Sequence, residues 1–354
     1  MDSKTQPERM ALLLQQRRLA DADLSGADLS GQDLSDCQLQ NVRLQGVRLT
    51  SANLAGSVWQ NCDLQGAQLA QCRLIGSQWS EVNLQGALMA SVNAQESTFS
   101  QVDLSGAQAQ GADFSKSFFD NCKLTNSQMA GANLFKVSFH ACNLPGADLS
   151  GANLTRWTVM DTDLTTVNFA QAKLVQAYLK GCNFTGQKLA GCDLALAIFD
   201  GANLQGADLS GLALDRTSFI GAQLQKAQLG GVKGSYTALM GASISQANLT
   251  GSSFDMADAS DADLQMVKAA NSRWHLCVLQ RVQATSAQFA GASLVYCDLS
   301  NANLSNADFS GADLSGANVH AMQDKSCNWQ GANRETVRKT NEALARAERW
   351  PAPV

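Results

Sequence analysis

From Leu19 to Val319 a large apolar residue returns at every fifth position: Leu19, Leu24, Leu29, Leu34, Leu39, and onward without insertion or slip. Of the 61 positions in that register, 55 carry Leu, Phe, Trp, Met, Ile or Val, and the exceptions are Ala94, Ala109, Gly234, Ala259, Ala269 and Ala284. Eleven of the thirteen phenylalanines fall on it, which chance does not produce. Two positions earlier stands a small residue (Ala22, Ala27, Cys37, Ala52), and one position earlier most often Asp or Asn (Asp23, Asp28, Asn53). Two positions later stands most often Gly (Gly26, Gly31, Gly46, Gly56). A spacing of two places the small and large residues on one side of a short extended segment. The next two residues then turn the chain, which Gly, Asn and Asp do best. A period of five fits neither a helix nor a long strand. The pattern predicts a coiled backbone around a packed axis, each coil bonded to the coils above and below.

Such a stack exposes unpaired backbone at its ends and needs covers. Pro7 to Arg18 predicts a short helix with Met10, Leu13 and Leu14 on one face. Asn333 reads as the N-cap of a second helix running to about Trp350, with Val337, Leu344 and Trp350 as its apolar members and Pro351 and Pro353 ending it. The chain thus divides into a cap over residues 1–18, repeats over 19–332, and a helix and tail over 333–354. Capping is the plainer role of the last helix; dimerisation is the alternative.

The unit A(D/N)LxG, carried over about residues 19–332, strongly resembles the pentapeptide-repeat family. The resemblance implies an all-β fold, a right-handed quadrilateral β-helix, with short helical caps added at both ends. Four pentapeptides per coil, and therefore four sides, come from that resemblance and not from the period. Smaller residues such as Ala94, Ala109 and Gly234 would thin or bend the axis unless large neighbours, Met89 and Trp274 among them, compensate.

At 354 residues the chain exceeds the usual single core, consistent with repeats. Net charge is -5, with no clustered basic face of the kind nucleic acid requires, so no direct nucleic-acid binding is expected. The apolar run Met10–Leu14 is too short for a signal-peptide core or a membrane span, so the expectation is a cytoplasmic protein without membrane contact. All ten cysteines occupy the small inward position, with no C-x-x-C spacing for zinc. Cys122 and Cys142, like Cys277 and Cys297, are twenty apart and should stack on adjacent coils as reduced thiols. The three histidines, His140, His275 and His320, directly follow the large apolar residue and should lie on the surface, unable to converge. No nucleophile–base constellation, metal site or cofactor site is expected, and the protein should not be an enzyme.

Residues twenty apart form columns. One corner column, normally glycine, reads Lys116, Lys136, Arg156, Gln176, Leu196, Arg216, Tyr236, Met256, Leu276 and Tyr296. Its stretch from Leu196 to Tyr296, with Tyr178 and Arg273 beside it, has the composition of a binding hot spot. The expected role is docking of a protein partner. Self-association as a homodimer and cover by the terminal helix are the competing uses. Family members known to protect DNA gyrase resemble DNA in shape and charge, and that mechanism needs carboxylate stripes. Here the Asp/Asn columns are interrupted by Arg43, Arg48, Lys123, Lys173, Lys188 and Lys268. An inhibitor of another protein, such as an immunity protein against a secreted nuclease toxin, is the second binding reading. A rigid adaptor or scaffold in a secretion or envelope assembly is the structural alternative.

Overall fold

The computed structural model describes residues 5–348 and 350. The backbone divides into two compact units, one through Tyr178 and the other from Leu179. Pro351 and Pro353, expected to stop the last helix, lie outside the described residues.

In the first unit, helix α1 spans Gln6–Gln16, with Pro7 in its first turn and the Glu8 carboxylate accepting the Thr5 N–H at 2.6 Å. Leu13 is fully buried, and Met10 and Leu14 are half-buried beside it. Arg17, at φ +54°, ends the helix, so Arg18 already belongs to the first strand. Seven three-residue strands follow: β1 Arg18–Ala20, β2 Gln38–Gln40, β3 Val58–Gln60, β4 Gln78–Ser80, β5 Thr98–Ser100, β6 Phe118–Asp120 and β7 Ser138–His140. They form one parallel sheet in chain order, each residue paired with the one twenty later. The other three sides are held by single bridges of the same offset, such as Asp23↔Arg43, Asp28↔Arg48 and Asp33↔Asn53.

The second unit carries the same offset on four ladders, through Asn203↔Gln223, Asp208↔Gln228, Ala213↔Lys233 and Ile198↔Ser218. Four ladders, each advancing by twenty, are the four sides that the resemblance implied.

Each side is made the same way. The Asp23 carboxylate accepts the Ser25 N–H at 2.9 Å, the Leu24 carbonyl accepts the Ala27 N–H at 3.0 Å, and Gly26 turns at φ +69°. This is a β-turn whose third residue needs a left-handed backbone. The leucine before it and the alanine after it are both buried. Inside, aromatic rings stack from coil to coil, with Trp59 on Trp79 at 4.8 Å and 3° and Phe99 on Phe119 at 4.6 Å. At three of the tryptophans a serine two residues earlier takes the indole proton: Trp59 donates to Ser57 at 2.8 Å, Trp79 to Ser77 at 2.7 Å and Trp274 to Ser272 at 2.8 Å. At Gly234 the Thr237 hydroxyl and the edge of the Phe254 ring take the space a side chain would need. Trp274 in turn stacks on Phe254 at 4.7 Å.

The C-terminal helix is shorter than expected. Residues 333–338 continue the coil through Asp313↔Asn333 and Asn318↔Arg338, and helix α2 covers only Glu342–Glu348. Asn333 does accept a backbone N–H, from Glu335 at 3.3 Å, but that is the turn of the repeat. The cap is Asn341, whose side-chain Oδ1 accepts the N–H groups of Ala343 and Leu344 at 3.1 Å. Val337 therefore belongs to the coil, and Leu344 and Trp350 are exposed.

A candidate protein-docking corner

The corner residue of each turn points away from the axis. Its left-handed backbone suits glycine and costs any other residue roughly 1 kcal/mol or more. Among the described non-glycine residues with positive φ there is no Val, Ile or Thr. At Thr166 and Thr336 the hydroxyl itself accepts the N–H of the glycine one coil below, at 3.0 and 2.9 Å.

In the second unit Leu196, Arg216, Tyr236, Met256, Leu276 and Tyr296 all hold this corner conformation, with φ between +57° and +60°. The five apolar ones are 39% to 61% exposed, so they carry strain and bury little in return. The Arg216 guanidinium lies over the Tyr236 ring, 5.6 Å from its centroid. The Tyr296 ring leans across Gly316, where a Cβ would collide with it. Arg273, on the preceding side, is engaged within the chain: its Nε donates to Asp255 at 2.9 Å. Together with Asp215, Lys233 and Ser253 it lines a groove of about 490 Å³. Tyr178 falls in the first unit, bridged to Thr158, and is only half-exposed.

Two apolar residues of this surface escape a reading of the corner column alone. Ile220 and Met240, four residues after Arg216 and Tyr236, are also exposed. Reading the neighbouring column by twenties, Asp200, Ile220 and Met240, would have found them.

Helix α2 leaves the corner open. Its Ala345 is buried and its Leu344 and Glu348 line a groove with Gln280, Arg281, Asn301 and His320, while Leu276 and Tyr296 stay exposed. This placement corrects one expectation: His320 is not a surface histidine but only 5% exposed. Its Nδ1 accepts the Asn341 N–H at 3.1 Å, so Nε2 carries the proton and donates to the Glu348 carboxylate at 3.1 Å. His140 does lie on the surface, with Nδ1 2.6 Å from Asp120. His275 is half-buried, its Nε2 2.7 Å from the Ser293 hydroxyl.

Several cations of the charged columns are paired with a carboxylate one coil away. Arg43 pairs with Asp23 and Arg48 with Asp28 at 2.9 Å, Arg281 with Asp261 at 2.7 Å, and Lys123 approaches Asp103 at 3.8 Å. Hydrogen bonds from Ser30, aided by Arg48, pull the Asp28 carboxyl down to about 2. Those from Ser35, aided by Arg17, do the same at Asp33. The cysteines are free, and all but the half-buried Cys327 are buried. Burial pushes the Cys62 thiol up to about 11 and that of Cys72 to about 12. Among the described residues no group of His, Cys, Asp and Glu is placed to hold a metal, and no helix is long and apolar enough to cross a membrane.

Comparison with known proteins returns the same repeat. The model of the pentapeptide repeat region matches residues 92–166 and 132–209. The model of pentapeptide repeats in eight copies matches 18–50, 43–77, 67–106, 197–233, 238–273 and 285–320. No curated protein sequence matches the chain. Among solved structures, trypsin-treated QnrB1, a plasmid-mediated fluoroquinolone resistance protein, is 19% identical, with 55% of this chain and 90% of that one covered and a TM-score of 0.32. HetL, a pentapeptide repeat protein involved in heterocyst differentiation regulation in Nostoc, is 21% identical, with 91% and 90% covered and a TM-score of 0.17. A pentapeptide repeat protein of the Arabidopsis thaliana thylakoid lumen is 22% identical, with 43% and 74% covered and a TM-score of 0.19. With a repeat that reaches from residue 18 to residue 320 in the family models, and coils that advance by twenty on four sides, the chain belongs to the pentapeptide-repeat family.

Proposed function

We propose that this protein acts without catalysis, by binding another protein through the corner Leu196–Tyr296 and inhibiting it. One observation carries the reading: five large apolar side chains, in a column where glycine is the relaxed choice, are held exposed at a left-handed backbone. Their contacts inside the fold, Arg216 over Tyr236 and Tyr296 across Gly316, bury little of them, so the gain is sought outside it. Tyr, Met, Leu and Arg together match the residues that dominate binding energy, and Arg216 is already stacked on Tyr236. Ile220 and Met240 widen the surface, and Arg273 with Lys233 gives it a polar rim.

The ion-paired columns bear on the type of partner. A surface that substitutes for DNA needs continuous negative stripes, whereas Asp23, Asp28, Asp103 and Asp261 each face a cation one coil away. This favours an inhibitor of a protein such as a secreted nuclease toxin, an immunity role, over gyrase protection. An adaptor or scaffold is the reading to which a failed test returns.

The test compares wild type with a Tyr236→Glu, Met256→Glu, Leu276→Glu variant in affinity capture from native cytoplasmic extract, followed by stoichiometry on the purified complex. A single stoichiometric partner is expected for wild type. The variant should lose it, since each hot-spot residue contributes on the order of 2 kcal/mol. Equal capture by both proteins would remove the corner from consideration.

A further inference from the structure

The same corner column has a second composition in the first unit. Lys116, Lys136 and Arg156 occupy it in three consecutive coils, with φ of +61°, +55° and +60°. Nowhere else in the sequence do lysines or arginines stand twenty residues apart. Several columns instead alternate charge between coils, as in Arg43 over Asp23 and Arg281 over Asp261. Here only Lys116 follows that rule, pairing with Glu96 at 2.8 Å. Lys136 has no carboxylate partner among the described residues and sits 5.3 Å from the Phe135 ring centroid. Arg156 donates its Nε to the neutral Gln176 at 2.7 Å.

Stacked coils are ~4.8 Å apart, and like charges at that distance destabilise one another. The side chains are also exposed at a strained corner, where the ion pair, ring contact and hydrogen bond just named repay the arrangement little. Aromatic side chains flank it: Phe118 is 43% exposed, and Phe135 and Tyr178 are half-exposed in adjoining columns.

We infer that this cationic, aromatic-flanked corner docks an acidic polypeptide segment in extended conformation, its carboxylates meeting Lys136 and Arg156 and its apolar side chains meeting Phe118. Three coils span roughly 10 Å, enough for two or three carboxylates of an extended chain. A nucleic acid fits less well, because stable binding draws on about 6–10 phosphate contacts. Glu96 and Asp113 also border the corner and would repel a longer polyanion. Docking here does not depend on a role for Leu196–Tyr296.

The probe is a fluorescein-labelled peptide of repeated Glu-Phe-Glu-Gly, titrated with the full chain and read by fluorescence anisotropy. Lys136→Glu/Arg156→Glu should weaken binding by about tenfold or more. Arg43→Glu/Lys123→Glu changes net charge equally at self-compensated positions and should leave binding within about twofold. Phe118→Ala should weaken the binding that persists at about 0.5 M salt, where exposed charges are screened. Thermal midpoints of all variants, measured alongside, separate lost binding from lost folding. Three results would each overturn the proposal: no saturable binding by wild type, equal losses in both charge variants, or displacement of the peptide by duplex DNA at lower concentration.

Discussion

The smallest unit of this fold is a turn closed by one carboxylate or amide and one left-handed residue, and its tolerances differ from site to site. Gly26 and Gly316 share the conformation, at φ +69° and +70°, but their surroundings do not match. A Cβ at Gly26 meets nothing within 4 Å, whereas one at Gly316 meets the Tyr296 ring. Gly26→Ala should therefore cost only the backbone term, about 1 kcal/mol. Gly316→Ala should cost more and move Tyr296, visible as a larger fall in the urea midpoint together with a change in tyrosine fluorescence. Equal falls in the two variants would show that the ring does not press on the glycine.

At the level of the coil, the inward register was readable because every coil repeats the demand of the one below it. Features set by a unique contact were not. Asn333 reads as a helix cap because a side-chain oxygen taking a backbone N–H serves turns and helix starts alike. His320 reads as a surface residue because its cover, helix α2, is packed by distant pairing and not by the local repeat. Trp157 stands at the small position and Val159 at the large one, an exchange made possible by the edge-on Phe139 ring 5.6 Å away. The apolar corner proposed for docking is legible as a breach of the glycine rule, but Arg273 is not legible as a residue already held by Asp255. The last coil differs chemically too. Its Cys327 is half-buried, whereas Cys62 and Cys72 are buried; burial raises all three thiols, those of Cys62 and Cys72 to about 11 and about 12. Native protein treated with a thiol reagent near neutral pH should be modified first at Cys327, with the buried cysteines reacting only on unfolding. Mass mapping that found Cys62 or Cys72 first would contradict this packing.

Across the molecule, many carboxylates titrate low because backbone and serine donors hold their charged form. Asp28 and Asp33 fall to about 2, and Asp103, Asp208, Asp308 and Asp313 are also lowered. In the unfolded chain an aspartate titrates near 3.9, so on acidification the unfolded state takes up protons first. Their contribution is complete above about pH 5 and is lost as pH falls through 4 toward 2. The urea midpoint should be flat from pH 7 to about 5, then drop, and Asp28→Asn with Asp33→Asn should soften the drop. A midpoint that rose on acidification would mean that these turns do not hold their carboxylates charged.

The twenty-residue offset also bears on how such a protein changes over generations. Within the second unit, a five-residue insertion between Arg216 and Tyr236 would return every core leucine to an inward position. It would, however, carry Tyr236, Met256 and Leu276 to a different corner from Leu196 and Arg216. A twenty-residue duplication at the same point would preserve both core and corner and simply lengthen the surface. Small genetic slips thus have two outcomes here, one that splits the apolar corner between two edges and one that lengthens it in place.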